Sequence, residues 1–362
     1  MRIAHAALTP LRLELHQPLR TSRGTYAARE GFLVRLVDED GRVGLGEAMP
    51  LPEFGTEPLA TCGEALGAWL GSLRGQSLGD SLEAVEKFPW KDAVPAASHG
   101  LELALLDLLA QRQGVPLCRL LAESARPEVR VNALLGASTP EALAEEARKA
   151  AAEGFTVLKL KVAGRPLEED VGRVAAVREA VGPEVKLRLD ANGGWSESEA
   201  LHALERLGGY GLDLVEQPTP PEDLLALDRV QRRAPCPIAA DESLGSPRVL
   251  RELMSMDPPP ALGALVLKPM VLGGLLPGLK VARWAARVGM EAFVTSSLDG
   301  VVARAGAAHL AAALPSGALA SGLAVGRLFV REPLSHPYQP VDGRIRLRET
   351  PGLGLTLDEA RG

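Results

Sequence analysis

Five ionisable residues stand at or directly after the ends of short apolar segments between positions 157 and 268. In chain order they are Lys161, Asp190, Glu216, Asp241 and Lys268, and successive members are 25 to 29 residues apart. A step of this length accommodates one strand and one helix of an α/β fold. Because the carboxyl ends of the strands in a parallel barrel form a single rim, this spacing predicts that all five side chains meet at one mouth.

Three of the five residues are carboxylates, and their chemistry favours a divalent metal site. Asp190, Glu216 and Asp241 would supply hard oxygen ligands of the kind that Mg²⁺ prefers. No histidine or cysteine lies at a predicted strand end, which argues against zinc. Any one of these carboxylates alone could equally belong to an ordinary strand-to-helix turn with a capping side chain. Three in register with two lysines favour the metal site.

Two lysines share one face of the apolar segment Val157–Val162. Successive strand residues point to opposite faces, so Lys159 and Lys161 lie together while Leu160 lies on the other side. Burial and like charge both disfavour an ammonium ion, so at least one of the two lysine pKa values is expected to fall. A lysine with a lowered pKa can act as a base. The segment alone also fits an exposed edge strand with two solvated lysines.

A further lysine, Lys268, precedes Pro269 at the end of the sixth predicted strand of the series. Strands two and six lie on opposite sides of an eight-stranded barrel, so Lys268 is expected to face Lys161 across the mouth. Two lysines around a metal-bound substrate suit proton abstraction next to a carboxylate, with positive charge to stabilise the resulting enolate.

Alternating strand and helix patterns fill the chain from about residue 130. Leucine-rich or β-branched runs predict eight strands, and longer amphipathic segments lie between them. This alternation predicts a (β/α)8-type barrel, with a doubly wound sheet as the alternative. The strand candidates are Val131–Leu134, Val157–Val162, Lys186–Leu189, Leu212–Glu216, Ile238–Ala240, Ala264–Lys268, Glu291–Thr295 and Ala318–Gly322.

The first part of the chain has an α+β pattern. A hairpin is predicted from Phe32–Val37 and Val43–Ala48, which flank an Asp-Gly turn. A polar loop is predicted at residues 20–24, before the hairpin. Helices are predicted over residues 56–74 and over Ala96–Arg112, where leucines form a wide apolar face.

Composition excludes several classes of protein. The net charge of −6 and the isoelectric point near 5.7 argue against a nucleic-acid partner. No run of about eighteen apolar residues suggests a membrane span, and the first residues do not resemble a signal peptide. The three cysteines are far apart in the sequence, so a cytoplasmic location is expected.

The chain resembles the enolase superfamily, in its muconate-lactonizing subgroup. The resemblance implies a (β/α)7β-type modified TIM barrel over residues 126–322. It also implies an N-terminal α+β capping domain over residues 1–125, completed by the C-terminal segment 323–362. The matching motifs are Lys159-Leu160-Lys161, Arg188–Asn192, Val215–Pro218, Ala240–Ser243 and Lys268 in the barrel, and Gly46–Pro52 and Glu102–Leu108 before it.

Within this subgroup the chain is most similar to the o-succinylbenzoate synthases. Those hydro-lyases dehydrate a cyclohexadiene carboxylate bearing a succinyl group, in menaquinone biosynthesis. The segments that carry this similarity are Arg29-Glu30-Gly31, Leu51–Glu57, Leu267-Lys268-Pro269, Gly273-Gly274 and Thr295–Asp299. In one departure, Asp299 stands where the family often has glutamate.

The similarity implies a role for each site residue. Lys161 would take the proton alpha to the carboxylate and then help hydroxide to leave. Lys268 would stabilise the enolate, and Lys159 would lower the pKa of Lys161. Mg²⁺, for which Mn²⁺ is expected to substitute, would be held by Asp190, Glu216 and Asp241. Substrate contacts are expected from Asn192, Ser296 and Ser297, and from a lid loop containing Thr21, Arg23 and Gly24.

Other reactions on the same scaffold stay open. An N-succinylamino acid racemase, or an enzyme with both activities, would use Lys161 and Lys268 as two opposed bases. A dipeptide epimerase is disfavoured because residues 320–324 lack the Asp-x-Asp pair of those enzymes. The Lys268-Pro269 motif fits a muconate cycloisomerase less well. A non-catalytic binding or scaffold protein is disfavoured because all five charged residues are present. The expected partner is a small carboxylate substrate, and the sequence leaves a homo-oligomer open.

Histidine chemistry is not expected. A histidine base would have to come from the later strands, but His309 falls in a helix pattern and His336 in the C-terminal segment. Both are interpreted as surface or packing residues. Trp195 is interpreted as packing between helix and barrel.

Overall fold

The computed structural model describes residues 2–21, 24–87, 93–334 and 338–355, without the side chains of residues 19–21 and 86–87. It begins with an antiparallel sheet of three strands, β1 (Ile3–Thr21), β2 (Gly24–Asp38) and β3 (Val43–Ala48). The turn between β2 and β3 contains Gly41 at φ +83°, a conformation that glycine adopts without steric cost. The predicted hairpin is therefore present. The loop predicted at residues 20–24 is wrong at its ends, because β1 extends to Thr21 and β2 begins at Gly24, and residues 22 and 23 lie outside the described residues.

Four helices follow this sheet in the chain: α1 (Leu59–Leu73), α2 (Leu78–Lys87), α3 (Pro95–Gln113) and α4 (Leu117–Leu121). Helices α1 and α3 pack on the sheet, and α2 and α4 pack against α3. Helix α3 lies directly on β3, and two glycines of β3 allow this close approach. A Cβ atom at Gly46 would lie 1.8 Å from the carbonyl oxygen of Gly100, and one at Gly44 would lie 2.3 Å from that of Ala104. These two positions therefore require glycine.

Seven parallel strands form the curled sheet of the second part, in the spatial order β5 to β11. They are β5 (Ala133–Leu135), β6 (Val157–Lys161), β7 (Lys186–Asp190), β8 (Leu212–Glu216), β9 (Ile238–Ala240), β10 (Ala264–Leu267) and β11 (Glu291–Val294). The intervening helices are α5 (Pro140–Ala152), α6 (Leu167–Val181), α7 (Glu197–Leu207), α8 (Leu224–Gln231), α9 (Pro247–Ser255), α10 (Pro269–Leu272), α11 (Leu275–Arg287) and α12 (Val301–Ala313).

The sheet closes through the segment at residues 320–322. Parallel bridges join Val131 to Ser321 and Thr295 to Gly322, so this segment lies between the two edges of the sheet. The weak eighth strand of the sequence pattern is thus reduced to these bridges. The modified TIM barrel with an N-terminal α+β domain is confirmed.

The end of the described chain contacts both parts of the molecule. Strand β12 (Arg344–Arg346) pairs antiparallel with β4 (Glu128–Arg130), just before the barrel. The amide of Val330 donates to the carbonyl oxygen of Glu14 in β1, at 2.8 Å. Among the described residues, no helix combines the length and apolar character needed to cross a membrane.

The barrel interior beneath the site is filled by buried side chains. Because side chains alternate along a strand, the residues two positions before the site residues point into the barrel. Leu214, Ala239, Val266 and Phe293 form an apolar cluster there. Arg188 is fully buried beside them, and its guanidinium donates to Asp213 Oδ2 at 2.8 Å and to the carbonyl of Ala320 at 2.7 Å. A packed, hydrogen-bonded floor therefore supports the mouth.

Candidate active site

Three buried carboxylates lie together at the carboxyl ends of β7, β8 and β9. Each of Asp190, Glu216 and Asp241 offers one oxygen, and these oxygens all lie within 4.8 Å of one another. Glu216 is fully buried, and its Oε1 accepts no hydrogen bond among the described residues. An all-oxygen donor set with an unpartnered buried carboxylate oxygen fits Mg²⁺.

The ammonium group of Lys159 lies inside this cluster. Its Nζ is 2.9 Å from Asp190 Oδ2 and also contacts Glu216 Oε2. Burial opposes the charge of Lys159, but the three carboxylates outweigh burial and raise its pKa. The sequence-based expectation is that at least one of the two lysine pKa values falls, and Lys159 is not that lysine in this arrangement. That expectation counted burial and the neighbouring lysine but not the carboxylates of adjacent strands.

The pKa values of Asp190 and Glu216 are shifted in opposite directions. Burial favours the protonated form of Asp190, but Lys159 and Lys161 overcome it and lower its pKa to about 2. For Glu216, burial together with the other two carboxylates prevails over Lys159 and raises the pKa to about 7. A dication bound among these groups would favour all three carboxylate anions and disfavour the Lys159 ammonium.

Lys161 lies at the end of β6 and is the most exposed of the three site lysines. Its Nζ donates to Asn192 Oδ1 at 2.7 Å and lies 3.8 Å from Asp190 Oδ2. Asn192 has a left-handed backbone (φ +47°), and its Nδ2 donates to Glu242 Oε1 at 2.9 Å. These contacts turn the amide oxygen of Asn192 toward the lysine.

Lys268 follows β10 and is almost completely buried. Its Nζ lies 2.5 Å from Asp241 Oδ1 and 5.1 Å from the centre of the Phe54 ring. Burial opposes its charge, but Asp241 and Glu242 prevail and raise its pKa. Strands β7, β8 and β9 separate β10 from β6 in the sheet, so Lys161 and Lys268 approach the mouth from different sides.

Gln217 joins the ends of β8 and β9 beneath the metal ligands. Its backbone adopts φ +35°, and its buried Oε1 accepts from the amides of Asp241 (2.8 Å) and Ser243 (3.2 Å). The position of Asp241 is therefore set by a side chain whose role the sequence pattern did not identify.

A single cavity at the mouth brings most of the expected residues together. It contains all three lysines, Asp190, Asp241, Asn192, Ser296 and Ser297. Gly24 is not part of its lining. Arg23 and the side chain of Thr21 lie outside the described residues, so their expected substrate contacts stay predictions.

The rest of the cavity wall is apolar or neutral. Asp190 and Asp241 are the acidic residues among the described lining, and both belong to the metal cluster. Phe54 comes from the N-terminal part and lies over Lys268. Lining residues that sequence reasoning did not identify are Phe54, Asn132, Leu134, Thr295, Leu298, Gly322, Ala324 and Val325. Thr295 and Leu298 follow β11, and Ala324 and Val325 follow the bridging segment 320–322, so their positions after strand ends are the signal that could have found them.

Comparison with known proteins agrees with this architecture. A family model described as "Enolase C-terminal domain-like" matches residues 142–361. A second, "Mandelate racemase / muconate lactonizing enzyme, N-terminal domain", matches residues 4–122. The chain belongs to the enolase superfamily, in the muconate-lactonizing subgroup. It is therefore an enzyme of a superfamily whose members bind Mg²⁺.

Relatives in this superfamily catalyse several reactions. The N-succinyl-L-Arg/Lys racemase of Bacillus cereus is 29% identical over 365 residues, covering 99% of this chain and 96% of that protein. The hydrophobic dipeptide epimerase of Citrifermentans bemidjiense is 32% identical, covering 98% and 97%. A crystal structure of the dipeptide epimerase from Enterococcus faecalis V583, complexed with Mg and the dipeptide L-Leu-L-Tyr, has a TM-score of 0.88 at 28% identity, covering 98% of this chain and all of that one.

Proposed function

We propose that this enzyme removes the proton alpha to the carboxylate of a small substrate that carries a succinyl group. The observation that carries the proposal is the placement of Lys161 and Lys268 on different sides of a mouth that contains the carboxylate cluster. When bound, Mg²⁺ would be held by Asp190, Glu216 and Asp241 and would supply positive charge for the substrate carboxylate. Mn²⁺ is expected to substitute for it.

The favoured reaction is the dehydration performed by o-succinylbenzoate synthases. Lys161 takes the α-proton, and the C–H electron pair moves toward the carboxylate, where Lys268 stabilises the negative charge. The electrons then return to form a C=C bond as hydroxide leaves, and the Lys161 ammonium gives back the proton to complete a water molecule. One lysine thus serves as both base and acid.

Differences between the two lysines support this reaction. Lys268 is held as a cation by Asp241 at 2.5 Å and lies near the face of Phe54, which suits a fixed positive charge. Lys161 is more exposed and has a neutral amide as its hydrogen-bond partner. The apolar residues of the mouth, such as Leu134 and Val325, suit a carbocyclic ring.

The second candidate is racemisation of an N-succinylamino acid. The similarity to the N-succinyl-L-Arg/Lys racemase, over nearly the whole chain, supports this reaction more directly than it supports dehydration. In a racemase, Lys161 and Lys268 would deliver protons to opposite faces of the α-carbon. The described mouth has no acidic residue besides the metal cluster, so an uncharged amino acid side chain is favoured over Arg or Lys.

Dipeptide epimerisation is less favoured despite the similarity to such enzymes. The free ammonium group of a dipeptide needs an acidic partner, whereas Gly322, Ala324 and Val325 line the corresponding part of the mouth. No described acidic side chain there is left over after the metal ligands.

A side-by-side assay tests the proposal. Purified enzyme with Mg²⁺ would be given the succinyl-bearing cyclohexadiene carboxylate and, separately, N-succinyl-L-phenylalanine. We expect dehydration with the higher kcat/KM. Racemisation without dehydration would reject the synthase proposal in favour of the second candidate. Turnover of a dipeptide such as L-Leu-L-Tyr, with neither of the other two, would reject both.

A further inference from the structure

The loop between β11 and α12, residues 295–300, forms one wall of the active-site mouth and is held by two charged side chains of the N-terminal sheet. Arg29 of β2 donates its Nε–H to the carbonyl oxygen of Leu298 at 3.3 Å. Glu47 of β3 accepts the amide N–H of Gly300 at 2.5 Å. These contacts join residues more than 250 positions apart in the sequence.

Both side chains are buried, and their hydrogen bonds are made to backbone groups. Arg29 is 4% exposed and also donates to the carbonyl oxygens of Met49 and Pro50. Glu47 is fully buried and accepts two more amides from the first turn of α12. Burying charge is costly without such partners. Because the contacts go to backbone rather than to side chains, they constrain the path of the loop.

The loop itself has a conformation that needs such support. Leu298 has φ +62°, in the left-handed region that is unfavourable for a residue with a Cβ. Asp299 Oδ2 accepts the amide of Ser297 at 3.0 Å and the hydroxyl of Ser296 at 3.2 Å. The carbonyl oxygen of Asp299 accepts from Arg304 of α12 at 2.6 Å.

We propose that Arg29 and Glu47 are positioning residues that fix the loop 295–300, so that Ser296 and Ser297 present a defined wall to the substrate. The hydroxyl of Ser297 is buried and has no hydrogen-bond partner among the described residues, which leaves it able to bond a substrate oxygen. The inference rests on the proposed function for the identity of the substrate. The loop geometry is independent of it.

Arg29 and Glu47 are expected to affect substrate binding by the loop 295–300 rather than proton transfer by the lysines. Neither Arg29 nor Glu47 lines the mouth cavity, and their described hydrogen bonds do not reach the lysines or the metal ligands. A loosened wall should therefore weaken substrate binding more than it slows proton transfer. KM rises with a smaller change in kcat when a substitution removes binding energy that the substrate and the transition state share equally.

The test uses Arg29→Met and Glu47→Gln, with Glu57→Gln as the matched control. Glu57 is also a buried glutamate at a helix N-terminus, where it accepts the amides of Ala96 (3.0 Å) and Ala97 (2.8 Å) of α3. It therefore performs the same capping chemistry at another helix. Arg29→Lys keeps the charge and serves as the milder variant if Arg29→Met does not fold.

Two readouts are measured on the Mg²⁺-loaded enzymes: kcat and KM with the substrate that the wild type turns over, and amide hydrogen exchange. For Arg29→Met and Glu47→Gln we expect KM to rise about tenfold, the factor that corresponds to one lost good contact, with kcat within about threefold of wild type. Exchange should accelerate at residues 295–300. Arg29→Lys should recover part of the KM effect, and Glu57→Gln should accelerate exchange at the start of α3 without raising KM.

The inference is overturned if both variants leave loop exchange unchanged, or if exchange accelerates while KM stays at the wild-type value. An equal rise of KM in Glu57→Gln would also overturn it, because the effect would then be general destabilisation. If the wild type turns over none of the substrates, the proposed function fails. Hydrogen exchange then still decides whether Arg29 and Glu47 hold the loop.

Discussion

The ammonium nitrogen of Lys159 lies 2.9 Å from the Oδ2 of Asp190, within the carboxylate cluster that fits Mg²⁺. The same ammonium contacts Glu216, and the exposed fraction is 13% for the Lys159 side chain and 1% for that of Glu216. Lys159 thus neutralises part of a buried negative charge. A bound dication would compete with it for the same oxygens.

Substitution of Lys159 by methionine is expected to destabilise the metal-free protein strongly. Removing one member of a buried ion pair leaves an uncompensated charge, which costs about 3–5 kcal/mol. Mg²⁺ should recover most of this loss, because it neutralises the same carboxylates. The measurement is the free energy of unfolding with Mg²⁺ and with a chelator, for wild type and variant.

Lys186→Met is the matched control for Lys159→Met. Lys186 pairs with Asp213 at 3.0 Å, but its side chain is 55% exposed. Its loss should cost less than about 1 kcal/mol and should not depend on Mg²⁺. Equal, Mg²⁺-independent losses in both variants would contradict the role assigned to Lys159.

Substitution of Lys268 by arginine should separate the two candidate reactions. Arginine keeps the positive charge but does not lose its proton at neutral pH. Dehydration needs only the charge at this position, so a measurable fraction of that activity should survive. Racemisation needs a base there and should disappear. Assay of both substrates checks this, and loss of dehydration with retained racemisation would contradict the division of roles.

His309 should make folding stability fall in acid. Its Nδ1 accepts the amide of Cys118 at 3.0 Å, and its Nε2 lies 3.3 Å from the hydroxyl of Tyr338, which donates to the carbonyl of Leu353 at 2.6 Å. Burial lowers the pKa of His309 from 6.5 to about 4. It was interpreted from sequence as a surface or packing residue, and the structure places it in the core.

The sign of the effect follows from the neutral folded form. Above pH 6.5 the imidazole is neutral in both the folded and the unfolded protein, and its contribution to the free energy of unfolding is fully present. As the pH falls from 6.5 to 4, the unfolded chain binds a proton that the folded protein excludes, so about 3 kcal/mol is lost. Urea unfolding across this range should show a shallower decline for His309→Gln. Identical slopes in both proteins would contradict the assignment.

The periodicity of the barrel made much of the site predictable. One βα unit separates each of Lys161, Asp190, Glu216, Asp241 and Lys268 from the next, and strand register converts this spacing into proximity. The metal cluster is thus found together, as expected. The raised pKa of Lys159 was not predictable, because it depends on which carboxylate oxygens of the adjacent strands the ammonium group contacts.

Contacts between segments that are distant in the sequence are not indicated by any periodic spacing of residues. Arg29 and Glu47 meet the loop 295–300 only because the N-terminal sheet packs on the rim of the barrel. The long strand β1 also escaped prediction, because Pro10 and Pro18 interrupt its pattern and proline is disfavoured in strands. Its pairing with β2 across most of its length stabilises it nonetheless.

The role of Lys161 as the base is tested most directly by following the α-proton itself. Loss of its NMR signal in D₂O would be measured for each succinyl-bearing substrate, with Mg²⁺, for wild type and Lys161→Ala. We expect wild type to remove the signal from at least one substrate. For Lys161→Ala we expect a rate on the order of 10²–10⁴-fold lower, with the fold and Mg²⁺ binding retained. A near-wild-type rate in the folded, Mg²⁺-loaded variant would contradict Lys161 as the base.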